Sequence, residues 1–232
     1  MSKVVIMQPY FFPYLGYFHL LHSSDTFVFL DNVNYINRGW VNRNQFIFSG
    51  APSMYTVPLN GASQNRLINE LEIADGRWTK TFFKSLEMNY RKTKCYDELI
   101  DSLKQTVGDG KGKISEFNQK TILWCAEQLG ISISFKISSS DFGDIAGVGQ
   151  DRIIAICKAL AADGYNNAIG GLDLYNKSAF LTEGITLSFV QSSLHEYSQT
   201  ASDFYPGMSI LDVLMNNDFS ERQVLLSQYD LL

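Results

Sequence analysis

Two short runs of β-branched and apolar residues, Lys3 to Met7 and Thr26 to Leu30, do most to limit what this chain can fold into. Each reads as a strand buried within a sheet rather than one with a wet side. Gln8-Pro9 ends the first. Pro13, Gly16 and the apolar residues Leu15, Phe18, Leu20 and Leu21 then read as a loop opening into a helix, and the second strand ends at Asp31. Strand, loop, helix and strand make a βαβ opening, whose product is a parallel sheet.

The rest of the chain extends this pattern. Gln45 to Phe48 and Met54 to Leu59 predict a hairpin across the turn residues Ser49-Gly50-Ala51-Pro52, and the near alternation of Leu67 to Ile73 predicts a further strand. Trp78 to Val107 is helical in pattern, with Phe82, Phe83, Leu86 and Tyr90 on one stripe and Leu99, Ile100 and Leu103 on another. Gly108 to Gly112 reads as a loop, followed by a helix with Ser115 as its N-cap and Gly130 as its stop. Strands are expected at Ile131 to Ile137, Asn167 to Gly170 and Ile185 to Val190. Helices are expected at Asp151 to Ala162, Tyr175 to Leu181, Ser209 to Met215 and Glu221 to Gln228. The expected fold is therefore α/β, an open and mostly parallel sheet flanked by helices. It is Rossmann-like, with a nucleotidyltransferase-like layout as one form, and carries an inserted β-hairpin and helical segment within one domain over residues 1–232.

Charge and composition narrow the function. A formal net charge of −5 argues against general nucleic-acid affinity, which needs a basic face to neutralise phosphates. No apolar run is long enough to span a membrane, and the N-terminus turns polar at Gln8, too early for a signal-peptide core. Cys95, Cys125 and Cys157 are widely spaced and form no zinc motif. Cys125 and Cys157 sit in apolar helical patterns and read as buried free thiols, which fits a soluble protein of the reducing cytoplasm.

Three constellations carry the chemistry. Gln8-Pro9-Tyr10-Phe11-Phe12-Pro13-Tyr14-Leu15-Gly16-Tyr17 lies where the first strand gives way to a helix, the place where open α/β sheets bind ligands. Its aromatics are read either as a core plug or as a ligand-binding loop in which Gln8 and the tyrosines supply polar tips. After the second strand, Asp31 should face the same crevice. Arg38 and Arg43 could clamp an anion, Trp40 could stack on a ring, and Asn44 adds an amide. The third lies in the tail. Gly170-Gly171 follows an expected strand, His195 is one of three histidines and a candidate proton acceptor, and Ser209 and Asp212 read as an N-cap and first turn.

Taken together, Gln8-Pro9-Tyr10-Phe11-Phe12-Pro13 with Gly16-Tyr17, the strand end at Asp31 and the Trp40-x-Asn42-Arg43-Asn44 block resemble the WbqC-like family. The downstream pieces occur in the right order: Asp151-Arg152-Ile153, Gly170-Gly171 before Tyr175, Phe180, Gly184-Ile185, Tyr197-x-Gln199 and Ser209-Ile210-Leu211-Asp212. His19 departs from the pattern and is placed on the helix, outside the site. The resemblance implies a cytoplasmic protein of O-antigen or other surface-polysaccharide biosynthesis, and, from one branch, a glycine transferase. Transfer of an aminoacyl (glycyl) or other acyl group to an amino sugar or sugar nucleotide is the expected reaction. An activated acyl or aminoacyl donor, free or on a carrier protein, would be the co-substrate.

On that reading the catalytic candidates are Asp31 or His195 as base. The oxyanion donors would come from the helix start at Gly16, Gln8 or Asn44. Tyr10, Tyr14, Tyr17 and Trp40 would wall the substrate, with Arg38 and Arg43 on its acidic group and Gly170 and Gly171 allowing close approach. No metal site is expected. One alternative is a nucleotidyltransferase-like enzyme, in which Tyr14-Leu15-Gly16-Tyr17 occupies the place of a His-x-Gly-His motif. The other is a non-catalytic module that binds a sugar nucleotide or a carrier protein.

Overall fold

The computed structural model describes residues 2–232. The opening βαβ unit consists of β1 (Lys3–Met7), α1 (Leu15–His22) and β2 (Thr26–Phe29), with β1 and β2 paired in parallel. A separate hairpin follows, β3 (Arg43–Phe48) with β4 (Ala51–Thr56), closed by Ser49 and Gly50. Both turn residues have positive φ, 55° and 76°, the left-handed pair that matches strand twist in a two-residue hairpin. The expected turn of four residues is thus half as long, and both strands begin earlier than the sequence pattern placed them.

Leu67 to Ile73 is not a strand. It contains a 3-10 turn at Ile68–Glu70, and only Leu67, Glu72 and Ile73 make isolated bridges, to Asn34, Lys113 and Leu59. Ile68, Leu71 and Ile73 are buried at uneven spacing, which no single sheet face can accommodate. The helical stretch then breaks into α2 (Trp78–Tyr90) and α3 (Tyr96–Val107), before α4 (Ile114–Gln128). Lys113, not Ser115, flanks α4, while Gly130 takes the left-handed conformation (φ 66°) just past its end.

The second half adds β5 (Ser134–Ile137), α5 (Ser138–Asp141), α6 (Gly149–Ala159), β6 (Gly164–Ala168) and α7 (Lys177–Thr182). It ends with β7 (Thr186–Ser192), α8 (Ile210–Asn216), α9 (Phe219–Leu226) and β8 (Tyr229–Leu231), the last not foreseen. Gly170 and Gly171 lie just beyond β6, in a 3-10 segment, Ile169–Leu174. Strands from both sides of Gly108–Gly112 share one six-stranded sheet, ordered β5-β2-β1-β6-β7-β8, in which only β8 runs antiparallel to its neighbour. Alternation along the inner strands builds two cores. Val5, Phe27 and Phe29 face one layer with α1, α4, α8 and α9. Val4, Ile6 and Val28 face the other with Ile153, Ile156 and Phe180 of α6 and α7.

The strand order reverses between β1 and β6. Their pairing covers only Lys3↔Gly164 and Val4↔Tyr165, whereas β1 and β2 stay paired from Val4 to Met7. The sheet therefore splays at its carboxyl end beside Gln8, where doubly wound sheets open a ligand crevice.

Candidate functional site

The loop from Gln8 to Tyr14 divides its aromatics between two tasks. Phe11 and Phe12 are fully buried and plug the core, Phe12 stacking on Phe82 at 5.9 Å and Phe11 on Phe117 at 6.2 Å. Phe12 holds a φ of 40°, a left-handed conformation that costs a bulky residue about 1–3 kcal/mol. Hydrogen bonds from four directions hold it there. Asn44 Nδ2 donates to the carbonyls of Phe11 (3.1 Å) and Phe12 (2.6 Å), and Ser209 Oγ also donates to Phe12 (3.0 Å). The Ile210 amide donates to Pro13, and the Phe11 amide to Trp40. Asn118 Nδ2, buried on α4, bridges the carbonyls of Pro9 (2.9 Å) and Val41 (2.7 Å). The loop is thus fixed before any ligand arrives.

Its remaining aromatics face outward. Tyr10, Pro13, Tyr14, Trp40, Asn44, Gln45 and Gly207 line a cleft of about 360 Å³, within the usual size for a small-molecule site. Trp40 is 44% exposed and Tyr14 38%, so large ring faces meet solvent. Burial raises the pKa of both cleft tyrosines, and Tyr10 is raised further by Tyr14. They stay neutral hydrogen-bonding groups near pH 7. Gly16 sits beneath the Tyr14 ring, where an added Cβ would lie 2.4 Å from a ring carbon.

The other residues singled out from the sequence are placed differently. Tyr17 is buried, and its hydroxyl donates to the Gln8 carbonyl at 2.9 Å, so it supports the loop instead of walling the cleft. Arg43 turns back on its own loop, with donors on the carbonyls of Gly39 (3.1 Å) and Arg38. Arg38 is exposed, with φ 59°, and neither arginine lines the cleft. Asp31 is 3% exposed. Its two oxygens accept from the Ser139 amide (2.9 Å) and hydroxyl (2.6 Å), which anchors α5. His19 lies wholly within the core on α1, against the Leu225 carbonyl. His195 is exposed beside a small depression bordered by Leu15 and Gly207, and Gly207 also borders the cleft. The tail therefore packs beside the N-terminal loop.

Gln8 and Gly170-Gly171 follow the ends of β1 and β6, flanking the splayed crevice. Gly171 is a close-approach point, where a Cβ would lie 2.3 Å from Asn167 Nδ2, whereas Gly170 meets open space.

Ser209 caps α8 as expected, accepting from the Leu211 amide. Asp212 does more than stabilise that helix start. Fully buried, it accepts from Tyr90 (2.9 Å), Tyr197 (2.7 Å) and Gln199 (2.8 Å). Burial raises its pKa, and the three bonds oppose the rise. This hub pins the loop that carries His195 and Gly207. All three cysteines are buried; burial pushes the Cys157 thiol up to about 12 and raises Cys125 and Cys95. Thiolate attack is disfavoured there. Among the described residues, no group of three or more His, Cys, Asp or Glu side chains could hold a metal ion, and no helix is long and apolar enough to cross a membrane. Sequence patterning missed Gln45 and Asn118. Gln45 sits in a strand, and the bridging role of Asn118 exists only in the folded chain.

A mostly parallel α/β sheet, with a fixed aromatic loop after its first strand and a cleft beside it, defines the class. The chain belongs to the WbqC-like protein family, whose model matches residues 8–224. It is similar to the Uncharacterized protein Rv1507c of Mycobacterium tuberculosis (strain ATCC 25618 / H37Rv), 28% identical over 219 residues covering 93% of this chain and 94% of that protein. No solved structure matches it.

Proposed function

We propose that this protein is a transferase of surface-polysaccharide biosynthesis that adds a glycyl or other acyl group to an amino sugar or sugar nucleotide. The observation that carries the reading is the cleft of Tyr10, Tyr14 and Trp40: exposed aromatic faces with neutral hydroxyls suit a sugar ring, which offers apolar C–H faces and a polar rim. The amine nitrogen would bond to the acyl carbon of an activated donor. The donor's leaving group would depart with its bonding pair, and the amine would lose one proton. Of the two candidate bases, His195 is the one left open to substrate, because both oxygens of Asp31 are taken by Ser139.

A thermal-shift screen of amino-sugar nucleotides, free nucleotides and acyl donors tests this reading. A ligand at ~100 times its dissociation constant should stabilise the fold by about 2.7 kcal/mol. An amino-sugar nucleotide that stabilises the protein, followed by acyl transfer with a donor, supports it. Binding without turnover with any donor favours a second reading, a non-catalytic sugar-nucleotide module. That alternative draws on the cleft lining itself, which contains no carboxylate, imidazole or amine. The nucleotidyltransferase-like reading is weakened by Tyr17, whose hydroxyl is spent on Gln8.

A further inference from the structure

We infer that Gln45 of β3 is the specificity-determining residue of the aromatic cleft, and that it selects the neutral amide of an N-acylated sugar over a free ammonium. No residue lining the cleft carries a charge. A phosphate, carboxylate or ammonium seated there would leave water without meeting a counter-charge, which costs more than seating a neutral group. Selection therefore falls to neutral hydrogen-bonding groups, and these are not equally free. Asn44 is buried and fully engaged: its Nδ2 donates to the carbonyls of Phe11 and Phe12, and its Oδ1 accepts from the Gln45 amide at 2.8 Å. The hydroxyls of Tyr10 and Tyr14 and the carboxamide of Gln45 bond to no other described residue. Of these, the carboxamide alone presents an acceptor and two donors at separate atoms of one planar group.

The main chain of Gln45 is fixed while its side chain is free. Its amide donates to Asn44, and its carbonyl accepts from the Ser209 amide at 2.8 Å. Ser209 also makes a β-bridge to Tyr14. One residue thus ties the carboxamide to a ring wall of the cleft. Alternation along β3 turns Gln45 away from the core that receives Asn44 and Phe46, and leaves it half-buried. An N-acyl group is uncharged, offers one C=O and one N–H to either end of the carboxamide, and can lay its carbon atoms on the rings. The corresponding free amine is an ammonium, with donors only and no carboxylate to meet. If the protein is the transferase proposed above, the amide is its product, so the cleft holds the finished sugar and admits the acceptor as its uncharged amine. That step rests on the proposed function; the preference for the amide does not.

Trp40 reports on the cleft directly, because Trp78 and Trp124 are buried and Trp40 is 44% exposed. Protection of its fluorescence from acrylamide is titrated with N-acetylglucosamine, glucosamine and glucose, at a pH where the amine of glucosamine is an ammonium. N-acetylglucosamine should bind at least about fivefold more tightly than glucosamine. Gln45→Leu should weaken N-acetylglucosamine by about fivefold and leave glucose unchanged. Gln45→Glu keeps the shape and adds the missing carboxylate, so it should reverse the order of the two amino sugars while circular dichroism stays native. Equal binding of the two by the unmodified protein, or no protection by any sugar, overturns the inference. Tighter binding of glucosamine would assign the ring faces to a cation and overturn it too. An equal loss of all three sugars in Gln45→Leu would make Gln45 a plain wall, with the same consequence. An amide preference that Gln45→Glu reverses, with no acyl transfer from any donor, upholds the inference and removes the transferase reading. Acyl transfer without that preference does the opposite.

Discussion

Tyr197, in the loop after β7, donates to Asp212 Oδ2 on α8 over 2.7 Å, and Gln199 joins it on the same oxygen at 2.8 Å. One buried carboxylate thereby holds the segment that borders the cleft. Tyr197→Phe should cost about 1–3 kcal/mol, because a buried carboxylate oxygen loses one of its two donors. Urea denaturation measures that loss, and limited proteolysis should show faster cutting between residues 193 and 208. A variant as stable and as resistant as the parent would remove the hub from any tethering role.

The pH dependence of that carboxylate has an unusual sign. Its pKa is raised above 3.8, so the native state binds the proton more tightly than the unfolded chain. This contribution to stability is greatest below 3.8 and declines as pH rises through the raised native value. His19 acts in the opposite sense on acidification. Burial lowers its pKa from 6.5, so the unfolded chain takes up a proton first, and stability falls as pH drops from 6.5 through the lowered native value. Denaturant titrations across that interval should show the fall, and His19→Gln should flatten it.

Trp40 is exposed and makes no side-chain hydrogen bond among the described residues. Trp40→Ala should leave stability within about 0.5 kcal/mol. Binding of a sugar ligand should weaken by about tenfold or more, since aromatic anchors carry a large share of contact energy. Melting curves with and without ligand separate the two effects. Unchanged ligand stabilisation would take Trp40 out of the site.

Gly16 and Tyr14 are coupled through one contact. Gly16→Ala pushes a methyl into the Tyr14 ring and displaces a cleft wall. Tyr14→Ala removes the obstacle, so the double variant should be more stable than the sum of the single effects requires, by about 0.5–3 kcal/mol. Additive values would show that the ring moves aside freely.

The parallel sheet was readable because β1 and β2 are short, apolar on both faces and separated by a helix-length segment. The candidate cleft was readable at its loop, where Tyr10, Tyr14 and Trp40 crowd around prolines and glycine. Individual side-chain directions were not. Arg43 and Arg38 look like an anion clamp in sequence, yet Arg43 bonds the carbonyl of Arg38, a choice made by the loop's φ of 59° at Arg38. Asp31 ends a strand as expected, but Ser139, more than a hundred residues later, decides what its oxygens meet. Leu67 to Ile73 comes close to alternating like a strand, but Ile68, Leu71 and Ile73 are buried at uneven spacing around a 3-10 turn, which the pattern alone does not show. β8 is too short for any pattern to reveal.

The two-residue pairing between β1 and β6 leaves the sheet as two triplets of strands joined along a narrow seam. Helix α1 is the splint across that seam. It follows β1 in the chain, packs on β6 and β7, and receives the Asn166 amide of β6 on the Ser23 carbonyl at its far end. The same helix begins at the tyrosine that walls the cleft. A molecule seated against Tyr14 therefore presses on the brace between the two halves of the sheet, and its binding should register as slower amide exchange along β6, well away from the point of contact.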